Sequence, residues 1–318
     1  MKKPSNMFNN KAKKNQPLPA KRREDMPNVK KGLTFKQWKA ENPKNTKWRN
    51  KRWAVLIGMN VLFWASFSFD ISVLEGSLSG SRFFGIYLMD IFNSMQQIVI
   101  GGRVGYLGML TTNFFIGIGV ITVFYFLAGG RTFCSWICPY HFLAENAEKI
   151  HNWLVKKKKI KEHNYAIGVK YIAFFMFLLI AFITKQLVFE DINPVGIISR
   201  SIIYGPSLLL LWVAGLLLFE IFYSKRFWCR YVCPMGVAYS AIGKFSPTAI
   251  KFDLDKCGHC RDCVDVCLVP HELWFVKRGE ATKEVHFTGA DCTRCGLCVD
   301  TCYGDALTIT LKGIDKLL

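Results

Sequence analysis

The chemistry of this chain is carried by its twelve cysteines, all of which fall into four short motifs. Two motifs are C-x2-C-x2-C-x3-C runs, formed by Cys257, Cys260, Cys263 and Cys267, and by Cys292, Cys295, Cys298 and Cys302. The other two are C-x3-C-P motifs, at Cys134 and Cys138 and at Cys229 and Cys233. Thiolates at such short intervals can hold several corners of one iron–sulfur cube from a single loop. The pattern therefore predicts iron–sulfur clusters and electron transfer.

The doubled C-x2-C-x2-C-x3-C run is the ligand pattern of bacterial two-cluster ferredoxins, in which the fourth cysteine of each run binds the other cluster. Two [4Fe–4S] clusters are expected, the first on Cys257, Cys260, Cys263 and Cys302, and the second on Cys292, Cys295, Cys298 and Cys267. Zinc ribbons fit less well, because they use two cysteine pairs separated by a longer spacer. Leu268 and Tyr303 stand where the usual run has proline, which is not a ligand.

The two C-x3-C-P motifs lie in what reads as an internal repeat, GGRTFCSWICPYHFLAE and SKRFWCRYVCPMGVAYS. Four thiolates from two facing motifs, Cys134, Cys138, Cys229 and Cys233, could bind a third metal or iron–sulfur centre. A redox-active dithiol and a purely structural role are the other two interpretations, and the residues leave all three open. The basic neighbours are expected to lower the thiol pKa values; they are Arg131, Lys225, Arg226 and Arg230.

Four apolar stretches precede the ferredoxin-like segment, at about residues 53–69, 107–127, 171–189 and 207–223. Each is close to the roughly 20 residues that cross a bilayer core of about 30 Å. The expected fold is therefore a membrane α-helical domain of four transmembrane helices, followed by a C-terminal α+β ferredoxin-like domain. The domain boundaries are placed at residues 1–52 for a basic arm, 53–245 for the membrane domain and 246–318 for the ferredoxin domain.

The charge distribution along the chain predicts how these stretches are oriented in the membrane. The first 52 residues hold 17 Lys and Arg against 3 Asp and Glu, and basic connections alternate with connections poor in cations. This is the positive-inside pattern. It predicts a multi-pass protein of the cytoplasmic membrane, with both termini and all cysteines on the cytoplasmic side. The net charge of +19 is interpreted as a topology signal and not as a nucleic-acid interface.

These features together resemble the NapH-type quinol dehydrogenase component of periplasmic nitrate reductase systems, which has a close relative in nitrous oxide respiration. The segments that carry the resemblance are LAGGRTFCSWICPY, INPVGIISRS, CRYVCPMGVAYSAIG and DALTITLKG. The resemblance implies that menaquinol is the electron donor and that a periplasmic iron–sulfur protein of NapG type is the partner. A metal reductase or cofactor-maturation donor of CcoG type is the alternative function.

Quinol oxidation also requires a proton acceptor. The candidates are the outer-side carboxylates, with Glu190 and Asp191 placed ahead of Asp70, Glu75 and Asp90, and solvated loop acids are the other interpretation of Glu190 and Asp191. In the ferredoxin-like segment, residues 251–255 and 307–311 are predicted to be strands, and residues 272–288 are predicted to form a hairpin around Gly279.

Overall fold

The computed structural model describes residue 37 and residues 44–70, 74–104, 112–161, 163 and 165–312. The chain divides into two compact units. One comprises residues 52–246, and the other comprises residues 247–318 together with the residues that precede 52. Most of the basic arm predicted for residues 1–52 lies outside the described residues.

The unit of residues 52–246 is built mainly from helices. They are α1 (Lys47–Ser68, which begins in the other unit), α2 (Ile91–Val104), α3 (Thr112–Ala128), α4 (Thr132–Trp136), α5 (Pro139–Lys156), α6 (Val169–Thr184), α7 (Val188–Ile192), α8 (Pro194–Tyr204), α9 (Leu210–Phe222) and α10 (Pro234–Gly243). A π-helical turn, Trp228–Val232, precedes α10. The strands β1 (Leu74–Ser77), β2 (Gly80–Phe83) and β3 (Ile86–Met89) form an antiparallel sheet in sequence order.

The predicted four-span membrane architecture is wrong. No helix in the described residues is both long enough and apolar enough to cross a membrane. The helices that replace the last three predicted spans are apolar but contain 17, 16 and 13 residues, and at 1.5 Å per residue even 17 residues reach only about 25 Å. The first helix has 22 residues, but its N-terminal turns are basic. No helix of the described residues supports the multi-pass topology inferred from these spans.

An aromatic core holds the helices of this unit together. Phe189 is fully buried and contacts Phe92, Phe177 and Trp228, with ring centroids 5.1, 5.4 and 6.5 Å away. These rings come from α7, α2, α6 and the π-helical turn, so one side chain joins four elements. Aromatic pairs at such distances add about 0.5–1.5 kcal/mol each beyond the area that they bury. The core thereby fixes the π-helical turn, which carries Cys229 of the second C-x3-C-P motif.

The second unit contains the ferredoxin-like segment. Strand β4 (Thr248–Asp253) lies between β5 (Val285–Phe287) and β6 (Leu307–Leu311), and both pairings are antiparallel. Each cysteine run contains a short helix, α11 (Asp262–Asp265) in the first and α12 (Leu297–Thr301) in the second. The two predicted strands are confirmed within three residues at their ends. The predicted hairpin is wrong, because Pro270–Val276 forms a 3₁₀ helix and β5 pairs with β4.

Candidate iron–sulfur sites

The first predicted cluster site is drawn together by the fold of the second unit. Burial, followed by the charges of Cys302 and Cys260, raises the pKa of the Cys257 thiol to about 12. Burial and the charges of Cys302, Cys257 and Cys260 likewise raise the pKa of Cys263. Cys302 follows α12, far along the chain from the other three, yet it is the cysteine whose charge Cys263 feels most strongly.

Two backbone amides point at sulfurs of this group. The N–H of His259 donates to Cys257 Sγ at 3.4 Å, and the N–H of Ala306 donates to Cys302 Sγ at 3.3 Å. The loop reaches this geometry because His259 and Arg261 adopt left-handed backbone conformations, with φ of 51° and 65°. Hydrogen bonds to cysteine sulfurs are among the features that set the potential of an iron–sulfur cluster.

The second predicted site combines the fourth cysteine of the first run with cysteines of the second run. Burial and then the charges of Cys295 and Cys292 raise the pKa of Cys267, the fourth cysteine of the first run. The pKa of Cys298 is raised by burial and then by Cys295, Cys267 and Cys292. The strongest electrostatic neighbours of Cys267 are therefore cysteines of the opposite run.

These eight thiols suit iron. They form no disulfides, and the charges of neighbouring cysteines raise the pKa values of Cys263 and Cys267. A cationic iron core would relieve this repulsion and the burial penalty, since a metal ligand must be deprotonated. The site is braced by His271 Nε2, 3.0 Å from Asp291 Oδ2, and by Glu272, which accepts the N–H of Asp291 at 3.0 Å. Nothing in the sequence pattern had indicated this bracing of the loop before Cys292.

The two C-x3-C-P motifs adopt nearly the same backbone geometry in the other unit. Cys138 and Cys233 precede α5 and α10 in extended conformations, with φ, ψ of −62°, 115° and −63°, 110°. Their N–H groups donate to the carbonyls five residues earlier, at Phe133 (3.1 Å) and Trp228 (2.8 Å). The proline after each is the first helical residue, where its fixed φ suits the helix and its missing N–H costs nothing. The internal repeat is thus visible in the backbone as well as in the sequence.

The structure brings the four cysteines of the two motifs into one group. The pKa of Cys138 is raised by burial and by the charges of Cys134 and Cys233. The pKa of Cys229 is raised by burial, by Glu220 and by Cys138 and Cys233. In the described part of the chain, only His271, Glu272 and Asp291 form a set of three metal-binding side chains whose ligand atoms lie within 4.8 Å of one another. The four sulfurs are therefore more widely spread than around a single zinc ion, where Zn–S bonds of about 2.3 Å place sulfurs roughly 3.8 Å apart.

The two halves meet at a close backbone contact beside these motifs. Gly130 has φ of +65°, and a Cβ placed on it would lie 2.4 Å from the Cα of Gly243 and 2.5 Å from the carbonyl oxygen of Tyr239. The neighbouring Arg131 is buried, and its Nη2 donates to the carbonyl of Cys229 at 3.5 Å. Residues just before the first motif therefore contact the second motif and the helix that follows it.

Buried arginines add positive charge to the same region. Arg52 Nη1 lies 2.9 Å from His141 Nε2, and Arg226 Nη1 lies 3.3 Å from His141 Nδ1. The two arginines also pair with Glu145 and Glu148 of α5. Burial and the charges of Arg226, Arg52 and Arg131 lower the pKa of His141. Arg52 had been interpreted only as part of the basic arm, whereas its side chain is fully buried.

The expectation that these cations would lower the thiol pKa values is corrected by the structure. Arg131 does act to lower the pKa of Cys233, and Arg226 that of Cys229. Burial is the larger effect, however, and the pKa of Cys233 rises to about 12. Sequence spacing shows which charges are near a thiol, but it does not show how completely the thiol is removed from water.

Two of the candidate proton acceptors are brought together. Asp90 is buried and Glu190 is partly buried, and both are hydrogen-bonded to Asn93. Asp191, which was ranked beside Glu190, is exposed, as are Glu75 and Asp70. A further buried carboxyl, Glu220, accepts the N–H of Trp228 at 3.0 Å, and burial raises its pKa to about 7. Glu220 is not among the candidates, because they were restricted to the outer-side carboxylates.

Comparison with known proteins supports the iron–sulfur interpretation. A family model described as "4Fe-4S binding domain" matches residues 110–161 and 204–253. These segments contain the four cysteines of the C-x3-C-P motifs and none of the other eight. No solved structure matches the chain.

The similar proteins include two ferredoxin-type NapH proteins. The chain is 33% identical to that of Escherichia coli (strain K12), over 83% of this chain and 91% of the relative. It is 27% identical to that of Haemophilus influenzae, over 79% and 90%. A methylamine utilization ferredoxin-type protein MauN, from Methylorubrum extorquens, is 26% identical over 84% of this chain and 89% of its own length. The resemblance found in the motifs is confirmed: the chain belongs to the NapH family of ferredoxin-type iron–sulfur proteins of electron transfer.

Proposed function

We propose that this protein carries electrons from menaquinol toward a periplasmic nitrogen-oxide reductase, for nitrate or nitrous oxide. The receiving partner is a periplasmic iron–sulfur protein of NapG type. Two [4Fe–4S] clusters are held by the eight cysteines of the ferredoxin-like unit, and a third iron–sulfur centre is held by Cys134, Cys138, Cys229 and Cys233. Such clusters supply single-electron transfer when bound.

The observation that carries this proposal is the gathering of twelve cysteines into three groups of four. The charges of Cys302 and Cys257 raise the pKa of Cys263. The charges of Cys295 and Cys292 raise the pKa of Cys267. This arrangement supports the exchange of the fourth ligand between the two clusters of a bacterial ferredoxin.

The third centre is supported by two independent findings. The "4Fe-4S binding domain" model falls on the two C-x3-C-P halves. The repeated backbone geometry also presents two matching cysteine pairs, one from each half. A purely structural role would not require four cysteines beside one another, since the charges of these neighbours raise the pKa values of Cys138 and Cys229.

An apolar groove beside the first motif supports a lipid-soluble quinol as the donor. It has a volume of about 460 Å³ and is lined by side chains of α1, α5 and α8, among them Leu56, Trp64, Phe142, Leu143, Ile198 and Ile202. Its polar wall includes Asn60, whose Nδ2 lies 3.4 Å from the carbonyl of Ile137, inside the first motif. Ligand sites commonly have 300–1,000 Å³ and apolar walls with a few polar groups. The groove is therefore suited to a naphthoquinol ring.

The surface of the helical unit suits contact with the membrane that contains the quinol. The side chains of Ile172, Phe175 and Leu211 are 70%, 66% and 71% exposed. Large exposed apolar surfaces mark sites of protein or membrane contact. The basic composition favours contact with the anionic lipid surface of such a membrane.

The test compares menaquinol with an artificial dye that reduces the reductase directly. Loss of this protein should slow nitrate or nitrous oxide reduction with menaquinol and leave dye-driven reduction unchanged. Ile202→Trp, which fills the groove, should raise the KM for menaquinol at least tenfold, whereas Ile172→Trp, outside the groove, should not. An equal loss with dye and with menaquinol would assign the defect to the reductase and refute the proposal.

A further inference from the structure

Asp90 and Glu190 are joined by two residues that contact both of them. Asn93 donates its backbone N–H to Asp90 Oδ1 at 2.9 Å and its side-chain amide to Glu190 Oε2 at 2.5 Å. Ser79 donates its hydroxyl to Glu190 Oε1 at 2.7 Å, and its backbone carbonyl accepts the N–H of Asp90 at 3.4 Å. We call these two carboxyls the acid pair.

The acid pair has too few donors for two ionised carboxylates. Asp90 Oδ2 and Asn93 Oδ1 are both buried acceptors without a hydrogen-bond partner in the described part of the chain. Asp90 is 4% exposed and Asn93 is 2% exposed, so water does not readily supply the missing donor. A proton on the acid pair would supply a donor at this place.

The surrounding charges also favour a proton on the acid pair. Burial and the charge of Glu190 raise the pKa of Asp90 to about 7, against the effect of the Asn93 hydrogen bond. The cation that faces the pair is Arg200, which is 3.9 Å from Glu190 Oε1 and donates to the Glu190 carbonyl at 3.0 Å. The other titratable groups facing Asp90 are Tyr125 of α3 and Tyr239 of α10. Among the residues that the structure describes, no cation is paired with Asp90.

The two tyrosines relate the acid pair to the four-cysteine group. The pKa of Tyr125 is raised by burial and then by the charges of Cys134 and Asp90. That of Tyr239 is raised by burial and then by Tyr125, Asp90, Cys134 and Cys233. Their rings are 4.8 Å apart and both are buried. Each tyrosine thus lies within electrostatic range of Asp90 and of the cysteines.

We propose that the acid pair takes up one proton each time the four-cysteine centre gains one electron. The inference rests on the third centre of the proposed function. Oxidation of one quinol releases two electrons and two protons. For each electron that enters the centre, one proton binds the pair, and it returns to water when that electron leaves for the next carrier.

The competing explanation is structural, because Asp90 also caps the N-terminus of α2 through the N–H of Asn93. Asparagine is about as good an N-cap as aspartate. Asp90→Asn therefore keeps the cap and removes the titrating group. Asp191→Asn, at the exposed neighbouring carboxylate, is the matched control.

The experiment is a redox titration of the full-length protein at pH 6, 7 and 8, with the centre identified as the signal that Cys134→Ser removes. Coupling of one proton to one electron lowers the potential by about 59 mV per pH unit, the value of a tenfold change for a one-electron couple. Wild type and Asp191→Asn should show this slope over part of the range, and Asp90→Asn should show a much flatter line. Infrared spectra should also contain a protonated-carboxyl band that titrates near neutral pH and is missing in Asp90→Asn, even in protein without the centre.

Three outcomes would overturn the proposed role of the acid pair, and a fourth would refute the third centre. A potential that is independent of pH in wild type, or no titrating carboxyl band, overturns the acid pair and leaves the electron-transfer function standing. An unchanged slope in Asp90→Asn also overturns it. If Cys134→Ser removes no signal and no iron, the third centre itself is refuted, and the inference falls with it.

Discussion

The contact between Gly130 and α10 offers a direct test of how the two C-x3-C-P halves are held together. Alanine at position 130 would need a left-handed backbone, at a cost of about 1–2 kcal/mol. Its Cβ would also lie 2.4 Å from Gly243 Cα and 2.6 Å from Gly243 N, distances that force the backbone to move. Overpacking of this kind costs about 1–3 kcal/mol. Gly130→Ala should therefore reduce the free energy of unfolding by roughly 2–5 kcal/mol, the sum of these two terms.

Gly85 provides the matched control. It has φ of +79° in the turn between β2 and β3, and a Cβ there would meet nothing within 4 Å. Gly85→Ala should cost only the backbone term, about 1–2 kcal/mol. Because 1 kcal/mol shifts Tm by about 2–4 °C in a domain of this size, Gly130→Ala should melt roughly 2–12 °C below Gly85→Ala.

Thermal unfolding and iron analysis would be measured on both variants. We expect only Gly130→Ala to lose iron from the four-cysteine centre, because only this substitution pushes the first motif away from the helix that follows the second. Equal Tm values and equal iron contents in the two variants would show that the close contact does not hold the halves in place.

Three further predictions concern individual side chains. Because the folded-state pKa of Asp90 is raised from 3.8 to about 7, wild type should lose up to about 4 kcal/mol of stability relative to Asp90→Asn as the pH rises from 4 to 8, at 1.36 kcal/mol per unit. Urea unfolding at both pH values measures this, and a difference that does not change with pH would contradict it. Cys263→Ser and Cys267→Ser should each remove one cluster, about four irons, with distinct spectral losses; identical losses would disprove the exchanged fourth ligand. Asp300 accepts the N–H groups of Trp48 and Arg49 at 3.1 and 2.9 Å, so Asp300→Ala should cost about 0.5–2 kcal/mol in thermal unfolding, as lost helix caps do, and an unchanged Tm would refute the capping role.

The sequence was most informative where chemistry demands a fixed spacing. The cysteine runs led to the family, which the comparisons confirm, and the two short strands predicted beside the cysteine loops are present as β4 and β6. Composition was a poor guide to helix length. The apolar stretch ending near residue 189 is divided at Lys185, whose backbone is left-handed with φ of 59°, so that α6 ends at Thr184. A mean over a window of residues does not register such a break.

Contacts between distant segments could not be predicted from the sequence either. Arg52 and His141 are 89 positions apart, and nothing in either segment indicates that they are hydrogen-bonded. The acid pair shows the same limit. Asp90 and Glu190 were both considered as proton acceptors, but their shared partner Asn93 is an unremarkable amide until the fold brings α2 and α7 together.

The prolines of the two C-x3-C-P motifs have a consequence for the assembly of the protein. Pro139 and Pro234 fix the backbone at the start of α5 and α10, so Cys138 and Cys233 have little conformational freedom left after folding. Most of the ordering entropy at these positions is lost in folding rather than in the capture of a centre. We therefore expect metal-free protein to reconstitute its four-cysteine centre without a slow rearrangement step. Reconstitution should proceed at a rate set by delivery of iron and sulfide.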